Sequence, residues 1–273
     1  MVDVKKLTPD YSKLYGEGGY GDVYYCKENK EVLVKLIYEN KDNNKNNKNN
    51  KNNKNNKNNI SGELNKKIIK KLLENDSVIH IIGFEKAKYS NDIYMVFLEH
   101  IDGLTLTEFF KNNKINDDLI SNIIKQILIG LNFLHKNKIT HRDIKMDNII
   151  INPETLKITI IDMGAACIGF PCFGIFGTSG YFCPEMIINS NGYNNLCDIW
   201  SLGILLYYLV CGYMPFYFSF NKKCYTSQLK EYVEIKYHPE KWMNEKLLKM
   251  CQMMLVYNFH KRASAEDILN SCF

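Results

Sequence analysis

Apolar positions divide this chain into two stretches of different period. From 12 to 36, short apolar runs alternate with turns: Val23-Tyr-Tyr-Cys, then Lys27-Glu-Asn-Lys-Glu, then Val32-Leu-Val-Lys-Leu-Ile. Such runs bounded by polar clusters predict a β-meander. Further strand-like segments fall at 79–84 and 93–98. Before them, 61–74 sets Ile68, Ile69, Leu72 and Leu73 on one face and predicts a helix. Beyond Gly103 the period becomes helical. Over 117–136, apolar residues stand at 119, 120, 123, 124, 127, 128, 131 and 134, an amphipathic helix. Two isoleucine-rich runs, 149–151 and 158–161, flank Asn152-Pro-Glu-Thr and predict a hairpin. From Glu185 onward the pattern is mostly helical. Strands first and helices second predict an α+β fold of two lobes, and 273 residues agree with two units.

Composition narrows the class. Hydrophobic residues make up 45% and charged residues 24%, the balance of a globular protein with a sizeable core. Collagen-like, mucin-like and wholly disordered chains are excluded. A Lys-Asn-Asn repeat at 43–59 carries no apolar residue, so nothing offsets its ordering entropy, and a disordered loop is expected there. The net charge is +5, and residues 41–59, with six lysines and one aspartate, account for all of it. The rest of the chain is neutral, so the basic excess gives no reason to expect a nucleic-acid partner.

Nine cysteines are scattered without any Cys-x-x-Cys pair, which gives a zinc site no support. Their odd number in a long chain points to reduced thiols, small buried hydrophobes in a cytoplasmic or nuclear protein. The first residues have no apolar run of signal-peptide type. Positions 199–220 carry no charge and are long enough to span a bilayer, yet they contain Ser201, Gly203, Gly212 and Pro215. A buried helix followed by a turn is expected, with no membrane partner.

Three motifs carry chemistry. Gly16-Glu-Gly-Gly-Tyr-Gly21 has the spacing that lets a backbone approach phosphates. A dinucleotide fold would need a helix to start here, but the strand-like Val23-Tyr-Tyr-Cys follows. His141-Arg-Asp-Ile-Lys-Met-Asp-Asn148 lies between the long helix and the hairpin, and Asp162-Met-Gly164 follows the hairpin. Taken singly, Asp143 could cap a helix end, Lys35 could be a strand lysine and Asp162 a turn residue.

Together and in this order, the motifs resemble those of eukaryotic-type protein kinases, serine/threonine class. The match extends to Val32-Leu-Val-Lys35, Glu99, Gly177-Thr-Ser-Gly-Tyr-Phe-Cys-Pro-Glu185, Asp198-Ile-Trp-Ser-Leu-Gly203 and Arg262. The resemblance implies a bilobal fold, with a small N-lobe over 1–101 and a helical C-lobe over 102–273. It implies transfer of the ATP γ-phosphate to Ser or Thr of protein substrates, with Mg²⁺. Asp143 would be the catalytic base, Lys145 would neutralise the transferring phosphoryl group, and Lys35 would hold the α/β-phosphates. Asn148 and Asp162 would hold the metal. Gly16, Glu17, Gly18, Gly19, Tyr20, Gly21, Val23, Leu98, Glu99, Ile101 and Ile150 would line the nucleotide site, with Leu98 as gatekeeper. Thr178 would support Asp143 and Lys145. Asp198 would bond back to the catalytic loop, and Glu185 would pair with Arg262.

Several positions depart from the family pattern. Glu63 is the candidate partner of Lys35 but falls two residues early in the helix register; otherwise it is a first-turn acid and the pair is missing. Leu33 replaces a small residue and Tyr15 a branched aliphatic one, both expected to face adenine and tighten the pocket. Met163 replaces the common Phe. Residues 165–176 hold no Ser, Thr or Tyr, so Arg142 has no phosphate acceptor before Thr178, and activity independent of phosphorylation of this segment is expected. This apolar segment either packs on its lobe or marks a partner surface. Tyr20 sits where cyclin-dependent kinases carry an inhibitory phosphotyrosine, or it simply shields the phosphates. The chain ends soon after Arg262, so few appendages are expected and any regulator would be a separate chain. The rival readings are a pseudokinase scaffold and a small-molecule kinase.

Overall fold

The computed structural model describes residues 3–17, 21–38, 78, 81–86, 93–188, 191–216, 237, 241, 242 and 244–273. The helix expected at 61–74 and the Lys-Asn-Asn repeat lie outside the described residues. Two units divide between Ile101 and Asp102.

The first unit is built on an antiparallel sheet. Its strands are β1 (Pro9–Gly16), β2 (Val23–Cys26), β3 (Val32–Tyr38), β4 (Ile81–Lys86) and β5 (Ile93–Glu99), in the order β1-β2-β3-β5-β4. Alternation along β3 sorts its side chains to two faces. Val32, Val34 and Leu36 join Leu7, Cys26 and Phe97 in a buried cluster. Leu33 and Lys35 therefore point to the opposite face. Register places Val23 and Val96 beside Lys35, and Tyr25 and Leu98 beside Leu33.

The second unit begins with β6 (Leu104–Thr105) and helix α1 (Leu106–Asn112), opened by a capping box between Thr105 and Glu108. Helix α2 (Asp117–Lys136) follows, capped by Asn116, whose side chain accepts from Leu119 N–H. Its stripe Ile120, Ile123, Ile124, Ile127, Leu128, Leu131 and Leu134 is buried, as the periodicity requires. Each such residue contributes about 1.5–3 kcal/mol of transfer free energy.

Short strands follow: β7 (Ile139–Thr140), β8 (Ile149–Ile151), β9 (Ile158–Ile160) and β10 (Cys167–Ile168). β8 and β9 form the expected hairpin, extended by β6, while β10 pairs with β7. After α3 (Pro184–Ile188) comes α4 (Leu196–Cys211), buried on nearly every side, which is why its sequence lacks an amphipathic period. The helix ends at Gly212 in the left-handed region. Among the described residues, no helix is long and apolar enough to cross a membrane. Helices α5 (Glu245–Met254) and α6 (Ala265–Cys272) complete the unit, α5 packing on α4 and α6 on α2.

Arg262 fixes the end of this unit to its middle. Its guanidinium is bidentate to Glu185 in α3, with Nη2–Oε2 at 3.0 Å. Nη1 also donates to Leu196 O and Nε to Val256 O. Both partners are buried, so the ion pair and the two main-chain contacts together offset the desolvation of two charges.

Candidate active site

The loop between β7 and β8 is held from below by α4. Asp198, fully buried, accepts His141 N–H and His135 Nε2 on Oδ2 and Arg142 N–H on Oδ1, at 2.8, 2.9 and 2.7 Å. Burial pushes its carboxyl up, but the His135 bond, the neighbouring histidines and the Arg142 amide outweigh burial and hold it below the ordinary value. His141 is locked next. Its Nε2 faces Ile161 O at 2.9 Å, which can only accept, so Nε2 carries the proton and Nδ1 accepts Asp143 N–H at 3.2 Å. Two main-chain amides and one imidazole thus fix the backbone that presents Asp143.

The Asp143 carboxylate is surrounded by donors. Asn148 Nδ2 donates to Asp143 O at 2.8 Å and to Oδ2 at 2.9 Å. Thr178 Oγ1 donates to Oδ1 at 2.7 Å and accepts from Lys145 Nζ, also at 2.7 Å. Lys145 Nζ itself lies 3.5 Å from Oδ2. Asp143, Lys145 and Asn148 of one loop and the distant Thr178 therefore form one hydrogen-bonded group. Gly177 lets Thr178 approach: at φ +101, a Cβ there would stand 2.2 Å from Arg142 O.

The model of the protein kinase domain matches residues 10–273. The chain belongs to this family. Within the protein kinase domain, curated relatives include calcium-dependent protein kinase 4 of Plasmodium falciparum (isolate 3D7), 29% identical over 76% of this chain and 42% of that protein. Probable serine/threonine-protein kinase fhkB of Dictyostelium discoideum is 33% identical over 76% of this chain and 18% of its own length. Serine/threonine-protein kinase cds1 of Schizosaccharomyces pombe is 33% identical over 66% of this chain and 41% of its own. The chain spans less than half the length of these relatives.

In the first unit of this kinase domain, the sheet face away from the core carries Val23, Leu33, Lys35 and Leu98 together. Tyr15 packs edge-on against Tyr25 and His100, with ring centroids 5.4 and 5.6 Å away. Gly16 ends β1 opposite Val23. Gly21, at φ +130, has no room for a side chain: a Cβ would lie 2.0 Å from Leu36 O. Glu17 is exposed beside Gly16, Glu99 closes β5 opposite Val32, and Ile101 is the last residue of the unit. Gly18, Gly19, Tyr20 and Glu63 lie outside the described residues. Ile150, in the second unit, is buried in β8 between Thr105 and Thr159.

Asn148 and Asp162 suit a hard cation. Both Asn148 Nδ2 protons are used by Asp143, which leaves the side-chain Oδ1 as the atom able to bind a cation. Ile161 N–H donates to Asn148 O at 2.9 Å, so Asp162 follows directly on a main-chain bond to Asn148. Asp162 has φ +60, and its Oδ1 accepts Gly164 N–H at 3.0 Å. It is thus a turn cap as well as an oxygen donor. Among the described residues, no cluster of three or more His, Cys, Asp or Glu could hold a metal on its own, so a metal here would complete its shell from substrate phosphates and water.

Arg142 holds the segment after Asp162. Its side chain is buried and donates from Nε to Ala165 O, from Nη2 to Ala166 O at 3.3 Å, and from Nη1 to Phe173 O at 3.2 Å and Tyr193 Oη at 3.4 Å. Its φ is +69. The segment both packs and stays exposed: Cys172 is fully buried and bridged to Tyr193, whereas Phe170, Phe173 and Ile175 are 45%, 44% and 50% exposed. Tyr193 and the Phe176 ring, partners of Arg142, carried no signal in the sequence, because neither belongs to a spaced motif. His135 escaped notice for the same reason, reading only as the last turn of α2.

Proposed function

We propose that this chain is a serine/threonine protein kinase, transferring the γ-phosphate of ATP to hydroxyls of protein substrates. The observation that carries this reading is Thr178 Oγ1, which joins Lys145 Nζ to Asp143 Oδ1 with both bonds at 2.7 Å. A carboxylate and an ammonium held a fixed distance apart suit the two demands of phosphoryl transfer to an alcohol. Asp143 orients the acceptor hydroxyl and takes its proton as the oxygen attacks the γ-phosphorus. Lys145 offsets the negative charge that gathers on the transferring group and so stabilises it relative to the ground state. Thr178 keeps both groups in position before substrate arrives, which lowers the orientational cost.

Lys35 is the point charge for the α/β-phosphates, and its sheet neighbours Val23, Leu33 and Leu98 supply the apolar surface for adenine. Gly16, Glu17 and Gly21 approach the phosphates by backbone, with Glu99 and Ile101 pairing adenine. Asn148 and Asp162 would hold Mg²⁺, which would supply neutralisation of phosphate charge.

The test is incubation with labelled ATP, Mg²⁺ and generic protein substrates, with Asp143→Asn in parallel. Label should appear on Ser and Thr and fall by about 10²–10⁴-fold in the variant. Equal labelling by the two proteins would overturn the assignment of Asp143, and no labelling by the native chain would overturn the proposed activity.

A further inference from the structure

Cys183 and Cys197 are buried and burial pushes both thiols up, as it does for Cys26 and Cys251. Cys167 and Cys172 differ. Cys167 pairs with Thr140 across β10 and β7, and Cys172 Sγ lies 3.6 Å from that same residue's Oγ1. Both sulfurs also face one carbonyl, Gly169 O, at 3.8 and 3.6 Å. The two thiols thus converge on one spot from the two ends of a short loop. That loop is pinned by Gly169 N–H to Lys138 O at 2.8 Å and by the paired amides of Cys172 and Tyr193.

Their environments are unequal in the way a reactive pair needs. Cys167 is partly exposed, whereas Cys172 is fully buried. The neighbouring Cys172 thiol lowers Cys167 to about 7 against the cost of burial, with the Arg142 charge assisting. The neighbouring Cys167 and burial push Cys172 up. The partly exposed thiol whose ionisation is favoured is the one suited to attack, and the buried partner is placed to resolve it.

We propose that Cys167 and Cys172 are a reversible oxidation site for peroxides, closing into an intramolecular disulfide. The Cys167 thiolate attacks one oxygen of hydrogen peroxide; the O–O bond breaks, hydroxide leaves and takes up a proton as water, and Cys167 becomes a sulfenic acid. The Cys172 sulfur then attacks that sulfur. An S–S bond forms, the S–O bond breaks, and the hydroxyl departs with the Cys172 proton as a second water. Two thiols lose two electrons in total and one peroxide gains them. The bridge spans the stretch between Ala166 and Phe173, both of which give carbonyls to Arg142, so oxidation staples the ends of the segment that Arg142 holds.

The experiment needs no transfer activity, so its outcome is separate from that of the proposed function. The full chain, reduced and desalted, is treated with one equivalent of hydrogen peroxide, quenched, denatured and alkylated with N-ethylmaleimide. Peptide mapping should show Cys167 linked to Cys172, the other cysteines alkylated, and the link lost on adding dithiothreitol. In Cys172→Ala, dimedone should trap a sulfenic acid on Cys167; in Cys167→Ala, Cys172 should remain fully alkylated. Oxidation of any other cysteine ahead of this pair, or a native chain in which Cys167 remains alkylatable after the peroxide dose, would overturn the proposal. The mapping of the native chain decides the matter even if a variant does not fold.

Discussion

The guanidinium of Arg142 lies over the ring of Phe176, 4.0 Å from its centroid. Face contact with an aromatic adds to four hydrogen bonds, three of them to main-chain carbonyls of residues 165, 166 and 173. A charge that another kinase could reserve for a phosphate is here satisfied by the segment's own backbone. The absence of Ser, Thr or Tyr from 165–176 is therefore matched by an alternative set of acceptors.

Phosphatase treatment should for that reason leave the transfer rate unchanged, measured as initial velocity on a generic substrate before and after treatment. Arg142→Met should cost about 3 kcal/mol or more of unfolding free energy, since buried carbonyls lose their donors. Complete loss of activity on phosphatase treatment would contradict this account.

Thr178 can be separated into hydroxyl and methyl. Thr178→Ala removes the link between Lys145 and Asp143 and should lower kcat by about 10–100-fold, the worth of a hydrogen bond to a charged group. Thr178→Ser should restore most of it. A KM for ATP that rises while kcat stays constant would argue against a positioning role.

Gly177→Ala tests the closeness of the same approach. A Cβ 2.2 Å from Arg142 O must displace the backbone of the loop that carries Asp143. A displacement near 1 Å should lower kcat by about 10²-fold with little change in circular dichroism.

Asp198 makes stability depend on acidity. Its folded carboxyl lies below the ordinary 3.8, so it contributes stability above that value, and the contribution is lost as pH falls through the folded value. Denaturant unfolding across pH 2–5, a range about the carboxylate value, should show stability falling toward the acid end. In Asp198→Asn that part of the slope should be absent.

Glu185 and Arg262 form a pair whose halves are worth little apart. Arg262→Met leaves Glu185 buried and uncompensated and should cost about 3–5 kcal/mol. The double variant Glu185→Leu with Arg262→Met should recover part of that loss, read from urea midpoints.

Sequence alone determined a good deal. The heptad-like stripe of α2, the β8–β9 hairpin and the meander of the first unit were legible because hydrophobic period reports which face is buried, and that information is local. Candidate residues of the 141–148 loop were legible for a related reason: their types and spacing lie within eight consecutive positions. The β7–β10 pair and β6 were not, since two-residue strands carry no period.

Tertiary structure alone decided which partners these residues take. Thr178 meets Asp143 across 35 positions, Asp198 meets His141 across 57, and Arg142 meets Phe173 across 31. The convergence of Cys167 and Cys172 depends on Thr140 and Tyr193, one on each side in the chain. A side chain's chemistry is written in its own letter. Its protonation state, the direction it points and the donors around it are set by whichever distant segments fold against it, and only a three-dimensional arrangement holds that information.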